Sequence, residues 1–109
     1  MDIPNSIKNK PRSKLTLDDC VFLTMRKASI NKRWLSFWEM QEIIKNSTGR
    51  FFGEPTISAS IRNMRKDYCR EAYNLPIYGE VIEKRRRKNS KGYEYKLILK
   101  EEVSYGQSI

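Results

Sequence analysis

The sequence has no histidine and only two cysteines, Cys20 and Cys69, among its 109 residues. These numbers exclude the Ser-His-Asp and Cys-His nucleophile systems, histidine-ligated metal sites and four-cysteine zinc or iron–sulfur sites. The five glycines are isolated, so the chain lacks a glycine-rich loop for phosphates. The acidic residues are scattered over predicted solvent-facing positions, which gives no paired-carboxylate site. We therefore expect a protein that is not an enzyme and that uses no cofactor or metal.

Long apolar runs are missing as well. The longest covers four residues, Cys20 to Leu23, whereas a helix that spans a bilayer needs about 20. The basic N-terminal stretch is not followed by an apolar segment, so it resembles neither a secretory signal nor a helix that lies on a membrane surface. We expect a cytoplasmic protein without a membrane partner, whose cysteines are reduced thiols.

Charge is abundant and unbalanced. Lys and Arg number 22 and Asp and Glu number 13, which gives a formal net charge of +9. Such an excess on a short chain is typical of proteins that bind a polyanion. A chain of this length provides for one small domain. We predict a flexible basic arm over residues 1–15, a folded module over residues 16–100 and a polar tail over residues 101–109.

Two helices begin with a recognisable capping signal. Thr16 precedes Asp19 by three residues, and Ser36 precedes Glu39 by the same distance, which is the spacing of a capping box. Apolar residues then recur at spacings of three and four along both segments. The sequence therefore predicts one helix from Thr16 and a second from Ser36 that ends before Gly49.

A third helix is predicted from Glu54-Pro55, because proline suits the first turn of a helix. An apolar seam at helical spacing supports a helix that runs to about Tyr73. The seam consists of Ile57, Ile61, Met64 and Tyr68. The side chains on the opposite side are small, polar or cationic. A solvent-exposed helix surface without a binding function is the alternative interpretation of this side. This side and its edges are formed by Pro55, Thr56, Ser58, Ala59, Arg62, Asn63 and Lys66.

A β-hairpin is predicted at the C-terminal end of the module. The hydrophobic period changes to two in residues 81–85 and 93–99, with a turn-forming stretch between them. Six cations crowd the tip, where they repel one another and where phosphates would relieve the repulsion. They are Lys84, Arg85, Arg86, Arg87, Lys88 and Lys91. The alternative, a charged edge that blocks strand addition, explains one or two lysines better than an uninterrupted run.

This order of elements resembles the winged helix-turn-helix domain. More narrowly, residues 56–65, followed by Arg85-Arg86-Arg87 and by residues 91–97, are similar to small bacteriophage-encoded winged-helix proteins. The resemblance implies an α+β fold, a three-helix bundle with a C-terminal β-hairpin wing, whose third helix is the recognition helix. It also implies a bacterial or phage origin and a regulatory role in transcription, replication or phage development.

On this interpretation the partner is double-stranded DNA. Arg62 and Asn63 are the candidates for contacts with base edges, and the hydroxyl and lysine side chains of the third helix are candidates for phosphates. The wing would lie along the backbone or in a narrow minor groove. The predicted DNA-binding residues are Thr56, Ser58, Ala59, Ser60, Arg62, Asn63, Lys66, Arg85, Arg86, Arg87, Lys88 and Lys91.

Other functions remain open at this stage. A protein-interaction module of phage origin that captures a host protein would use an apolar patch, for which the candidates are Trp38, Phe51, Phe52, Tyr73 and Tyr78. A basic hairpin can also grip duplex RNA by its shape. A homodimer is a further option, because specific DNA sites often consist of two half-sites.

Overall fold

The computed structural model describes residues 3–99, which fold as an α+β protein with five α-helices and a three-stranded antiparallel sheet. The helices are α1 (Asn5–Lys8), α2 (Leu17–Ile30), α3 (Phe37–Thr48), α4 (Glu54–Asn63) and α5 (Asp67–Ala72), with a short 3-10 turn at Arg12–Lys14. The strands are β1 (Leu35–Ser36), β2 (Ile82–Arg86) and β3 (Tyr93–Leu97), in the spatial order β1-β3-β2.

Both predicted capping boxes are present. The Thr16 hydroxyl accepts from the Asp19 N–H at 3.1 Å while the Asp19 carboxylate accepts from the Thr16 N–H at 3.0 Å. Ser36 and Glu39 make the same reciprocal pair at the start of α3. Helix α3 ends at Gly49, whose φ of 75° is the left-handed conformation that glycine adopts without strain. The predicted starts of these two helices and the end of α3 are confirmed.

The core lies between α2, α3, α4 and the sheet. Helix α2 is central, since it contacts α3, α4 and β3. Its buried residues meet the inward faces of the other elements, and the largest fully buried side chains of this core are apolar. The fully buried centre includes Val21, Phe22, Met25, Leu35, Met40, Ile44, Ile57, Met64, Leu75, Val81 and Leu97.

The third predicted helix is in fact two helices. Helix α4 ends at Asn63, and Lys66 has an extended backbone that starts α5 in a new direction. The extension to Tyr73 is therefore wrong, and Tyr68, assigned to the apolar seam, is 58% exposed. Cys69 and Tyr73 fill the core from α5 instead, with the Tyr73 ring stacked on Phe22 at 4.5 Å.

The hairpin is confirmed and gains a third strand. Strands β2 and β3 pair from Ile82 with Leu97 to Arg86 with Tyr93. Ser36, predicted as the start of the second helix, and Leu35 before it form β1 and pair with Glu94 and Tyr95. A strand of two residues shows no hydrophobic period, so the sequence pattern cannot reveal it.

The N-terminal segment, predicted as a flexible basic arm, contacts the folded module. Ile7 of α1 is buried in the core, and the Ser6 hydroxyl donates to the Ala72 carbonyl at 2.5 Å. Lys10 forms an ion pair of 2.8 Å with the buried carboxylate of Asp19. Residues 3–15 therefore pack on the module. Residues 1 and 2, Lys100 and the predicted tail, residues 101–109, lie outside the described range.

Candidate nucleic-acid interface

The exposed face of α4 and the tip of the hairpin border the same surface groove. One part of the groove, of about 180 Å³, is lined by Arg87, Lys91 and the beginning of α3. The adjoining part, of about 550 Å³, is lined by Ser58 and Arg62 of α4. Phe37 and Glu54 line both parts, so the two cavities are neighbouring sections of one feature. We call it the wing groove.

Phe37 holds the two sides of the wing groove together. Its ring stacks on Tyr95 of β3, with the ring centroids 4.8 Å apart, which packs the start of α3 against the sheet. On the other side, the Gln41 amide donates to the Phe52 carbonyl at 3.1 Å and thereby fixes the five-residue loop 49–53 that leads into α4. These contacts set the position of α4 relative to the hairpin.

The register of the hairpin decides which of its cations face the groove. Arg86 pairs with Tyr93, and Lys84 pairs with Tyr95, so these four residues share one face of the ribbon. Tyr93 and Tyr95 line the groove. The Lys84 ammonium and the Arg86 guanidinium lie 4.4 and 5.9 Å from the centre of the Tyr93 ring. Arg86 therefore belongs to the groove side of the hairpin.

Arg85, one of the predicted DNA-binding residues, lies on the opposite face of the ribbon. Arg85 pairs with Glu94 in the register, and its guanidinium makes a 2.5 Å contact with the Glu94 carboxylate. It also lies 4.2 Å from the centre of the Trp34 ring. Because alternate residues of a strand point to opposite faces, Arg85 is directed away from the groove and is partly neutralised.

The turn of the hairpin carries cations that no described acid neutralises. Arg87, Lys88 and Lys91 form no ion pair with any residue of 3–99. The Arg87 N–H donates to the Gly92 carbonyl at 3.2 Å, and Gly92 closes the turn with a φ of 95°. Lys88 and Lys91 are exposed at this turn. The tip of the hairpin thus carries three cations that form no ion pair with the described residues.

Only some of the α4 residues that were predicted to bind DNA are exposed. Arg62 and Thr56 are exposed, and Ser58 and Ala59 are half-buried. Ser60 is buried, contrary to the prediction, and donates to Asp18 at 2.5 Å.

Two further predicted side chains lie off the exposed face of α4. The Asn63 amide is within 3.5 Å of the other Asp18 oxygen. Lys66 is exposed, but it stands beyond α4 at the start of α5. Ser60 and Asn63 therefore join α4 to α2 and do not reach outward.

Several groove residues were absent from the predicted DNA-binding site, among them Trp38 and Glu54. Trp38 is 66% exposed and lines the groove beside Arg87 and Lys91. Trp38 directly follows Phe37 in α3, and one residue corresponds to about 100° of rotation around a helix. This rotation away from Phe37 is the sequence signal that could have indicated an exposed Trp38. Glu54 is the carboxylate of the groove lining. Burial, followed by the negative charge of Glu54, raises the pKa of the Tyr95 phenol, which therefore remains a neutral donor.

The five aromatic residues considered for a protein-binding patch do not form one surface. Tyr73 is buried and Phe52 is half-buried against the core. Phe51 is exposed in the loop before α4. Trp38 lines the wing groove, whereas Tyr78 lines a separate cavity of about 590 Å³ beside α5.

No family model, no curated protein and no solved structure matches this chain. Across residues 3–99, no helix combines the length and apolarity needed to cross a bilayer. The same residues bring together no group of three or more Cys, Asp or Glu side chains suited to hold a metal ion. The geometry of the wing groove is therefore the basis for a functional assignment.

Proposed function

We propose that this protein binds double-stranded DNA, with α4 as the helix that enters the major groove and the β2–β3 hairpin as a wing. The observation that carries the proposal is the wing groove, which places Arg62 of α4 and the cations Arg87 and Lys91 along one surface. A helix and a cationic ribbon side by side match a duplex, whose major groove is about 12 Å wide and is flanked by phosphates.

The exposed side of α4 suits close approach to base edges. Pro55, Ser58 and Ala59 are small, so a DNA backbone or base edge can come near the helix axis. Arg62 stands on the same side and can donate two hydrogen bonds to a guanine. Ser60 and Asn63 leave the proposed set, because both side chains are engaged with Asp18. Thr56 and Lys66 remain candidates for phosphates at the two ends of the helix.

The wing supplies charge rather than sequence preference. Arg86, Arg87, Lys88 and Lys91 would each neutralise a phosphate and release counterions. Together with Lys66 beyond the end of α4 this makes about five neutralised phosphates, which corresponds to a slope of about −4 to −5 in a plot of log affinity against log salt. With a net charge of +9, the remaining surface also favours encounter with a polyanion. A regulatory role in a bacterial or phage setting belongs to the same proposal.

The decisive experiment is a titration of a fluorescent 20-base-pair duplex pool at several salt concentrations, with Arg87→Ala and Arg85→Ala as a matched pair. We expect the stated slope for the wild type and a shallower slope, by about 0.9, for Arg87→Ala. Arg85→Ala keeps the wild-type slope, because Arg85 faces away from the groove. A wild-type slope near zero contradicts the proposal. Tighter binding to an RNA duplex of the same sequence would reassign the partner.

Docking of a protein is the second candidate function, and one observation favours it. Ile77 and Tyr78 are largely exposed, Tyr78 by 88%, beside the cavity of about 590 Å³ that Asp67 and Glu71 border. The variant Tyr78→Ala distinguishes between the two candidate functions. This variant keeps full DNA affinity under the first function and loses a bound protein partner under the second.

A further inference from the structure

Trp38 has a position that core packing does not explain. An indole that remains 66% exposed contributes little buried area to the fold. Its neighbour Phe37 packs on Tyr95, whereas Trp38 stands on the wall of the narrow part of the wing groove, next to the cations of the hairpin tip. An exposed aromatic face beside unpaired positive charges is the combination that proteins use to bind single-stranded nucleic acid.

The size of this part of the groove limits what it can hold. Its volume of about 180 Å³ is below the lower end, about 300 Å³, of pockets for drug-sized ligands. The lining is aromatic on several sides, through Phe37, Trp38, Tyr93 and Tyr95. A single flat ring system fits this volume and this lining, and a whole dinucleotide or cofactor does not.

The charges of the lining distinguish a base from a phosphate. Arg87 and Lys91 suit the phosphates that flank a nucleotide. Glu54 lines the same cavity and would repel a phosphate at its own end, but a carboxylate accepts a hydrogen bond from an exocyclic amine of a base. Within a duplex every base except those of the two terminal pairs is covered on both faces, so away from the ends only an unpaired base can offer a face to Trp38.

We propose that the narrow part of the wing groove holds one unpaired DNA base, stacked on Trp38, so that the protein prefers a duplex with a single-stranded branch over a continuous duplex. This inference rests on the proposed function, because the paired part of the DNA lies against α4. It names the substrate class more narrowly, as DNA with a junction between paired and unpaired strands.

The experiment compares three fluorescent DNAs that share one 20-base-pair sequence: the blunt duplex, the duplex with one single-stranded extension, and the fork with two. The full chain is titrated with each by fluorescence anisotropy. We expect the branched DNAs to bind about fivefold to a hundredfold more tightly than the blunt duplex, the range for one stacked base. Equal affinity for all three overturns the inference alone. Failure to bind any of them overturns the proposed function as well.

Trp38→Ala tests the stack directly. It should weaken the binding of the branched DNAs more than that of the blunt duplex and so abolish the preference, and Trp38→Phe should restore part of the preference. Tyr78→Ala is the matched control, since it removes an exposed aromatic residue from a different cavity. Equal weakening of all three DNAs by Trp38→Ala, or an unchanged preference, contradicts the stack. In a Trp34→Phe background Trp38 is the remaining tryptophan, and its fluorescence should be quenched by the branched DNAs and not by the blunt duplex.

Discussion

Ser60 of α4 donates a hydrogen bond of 2.5 Å to Asp18 of α2, across the interface between the two helices. The hydroxyl is buried, so it serves the packing of α4 and does not reach a ligand. Ser60→Ala removes the donor and leaves the carboxylate with the more distant Asn63 amide at 3.5 Å. We expect a loss of about 1–3 kcal/mol in the free energy of unfolding, measured by urea denaturation. The folded variant should bind duplex DNA with the wild-type affinity. A weaker DNA affinity in a variant that is folded to the same extent as the wild type would mean that Ser60 contacts DNA.

Arg62 is the α4 side chain with the strongest case for reading a base. It is exposed and lines the wing groove with Ser58. Arg62→Ala should cost about 1–3 kcal/mol of binding free energy on the preferred DNA site and should flatten the preference among sequences. Selection from a random DNA pool with both proteins measures this change. If the variant selects the same sequences as the wild type and merely binds them more weakly, Arg62 contacts phosphate.

The sequence predicted the parts of the fold that depend on local signals. Ser36 and Glu39 reveal a helix start because both partners of a capping box lie within one turn. The hairpin follows from a period of two on either side of a turn. By contrast, β1 exists because Leu35 and Ser36 meet β3 some sixty residues later, and such a pairing leaves no local pattern. The burial of Ile7 also depends on tertiary contacts. A single apolar residue within a basic segment gives no sequence pattern from which this burial could be predicted.

The structure shows which of the predicted site residues lie together. Arg87 and Lys91 of the hairpin tip line the wing groove. Arg85 is turned away by the alternation of the strand, which the run of cations obscured. Ser60 could have been placed correctly, since about 100° per residue sets it about 40° from Met64 of the buried seam. The acid that engages Ser60, Asp18, belongs to another helix and could not be foreseen.

Asp19 couples the N-terminal segment to the core through charge. Burial by itself would raise the pKa of this carboxyl, but hydrogen bonds from Lys10, Tyr73 and the Thr16 backbone outweigh it and hold the pKa below its ordinary value. A lowered pKa in the folded state means that the stabilisation is complete above the unfolded pKa of about 3.9 and is lost as the pH falls through the folded value. Urea denaturation between pH 2 and pH 6 should therefore show a stability that declines below about pH 4.

Asp19→Asn is the variant that checks this assignment. It should be less stable than the wild type at pH 6, because it loses the ion pair with Lys10 and one half of the capping box. Its stability should decline less than that of the wild type between pH 6 and pH 2. Asp67→Asn is the control, since Asp67 is exposed on α5. The same acid dependence in Asp19→Asn and in the wild type would mean that other carboxyls govern it.

Cys69 reports on whether α5 stays packed. The side chain is buried, and this burial raises the pKa of the thiol to about 11. The thiolate is the reactive form of cysteine. With a pKa of about 11, about one Cys69 thiol in a thousand is ionised at pH 8. Burial also limits the access of the reagent to this thiol. We expect iodoacetamide to leave Cys69 unmodified in the folded protein at pH 8 and to alkylate it rapidly in urea, as read by mass spectrometry of peptides. Cys20 should behave in the same way, since burial raises its pKa too. Modification of Cys69 alone under native conditions would show that α5 opens while α2 stays folded.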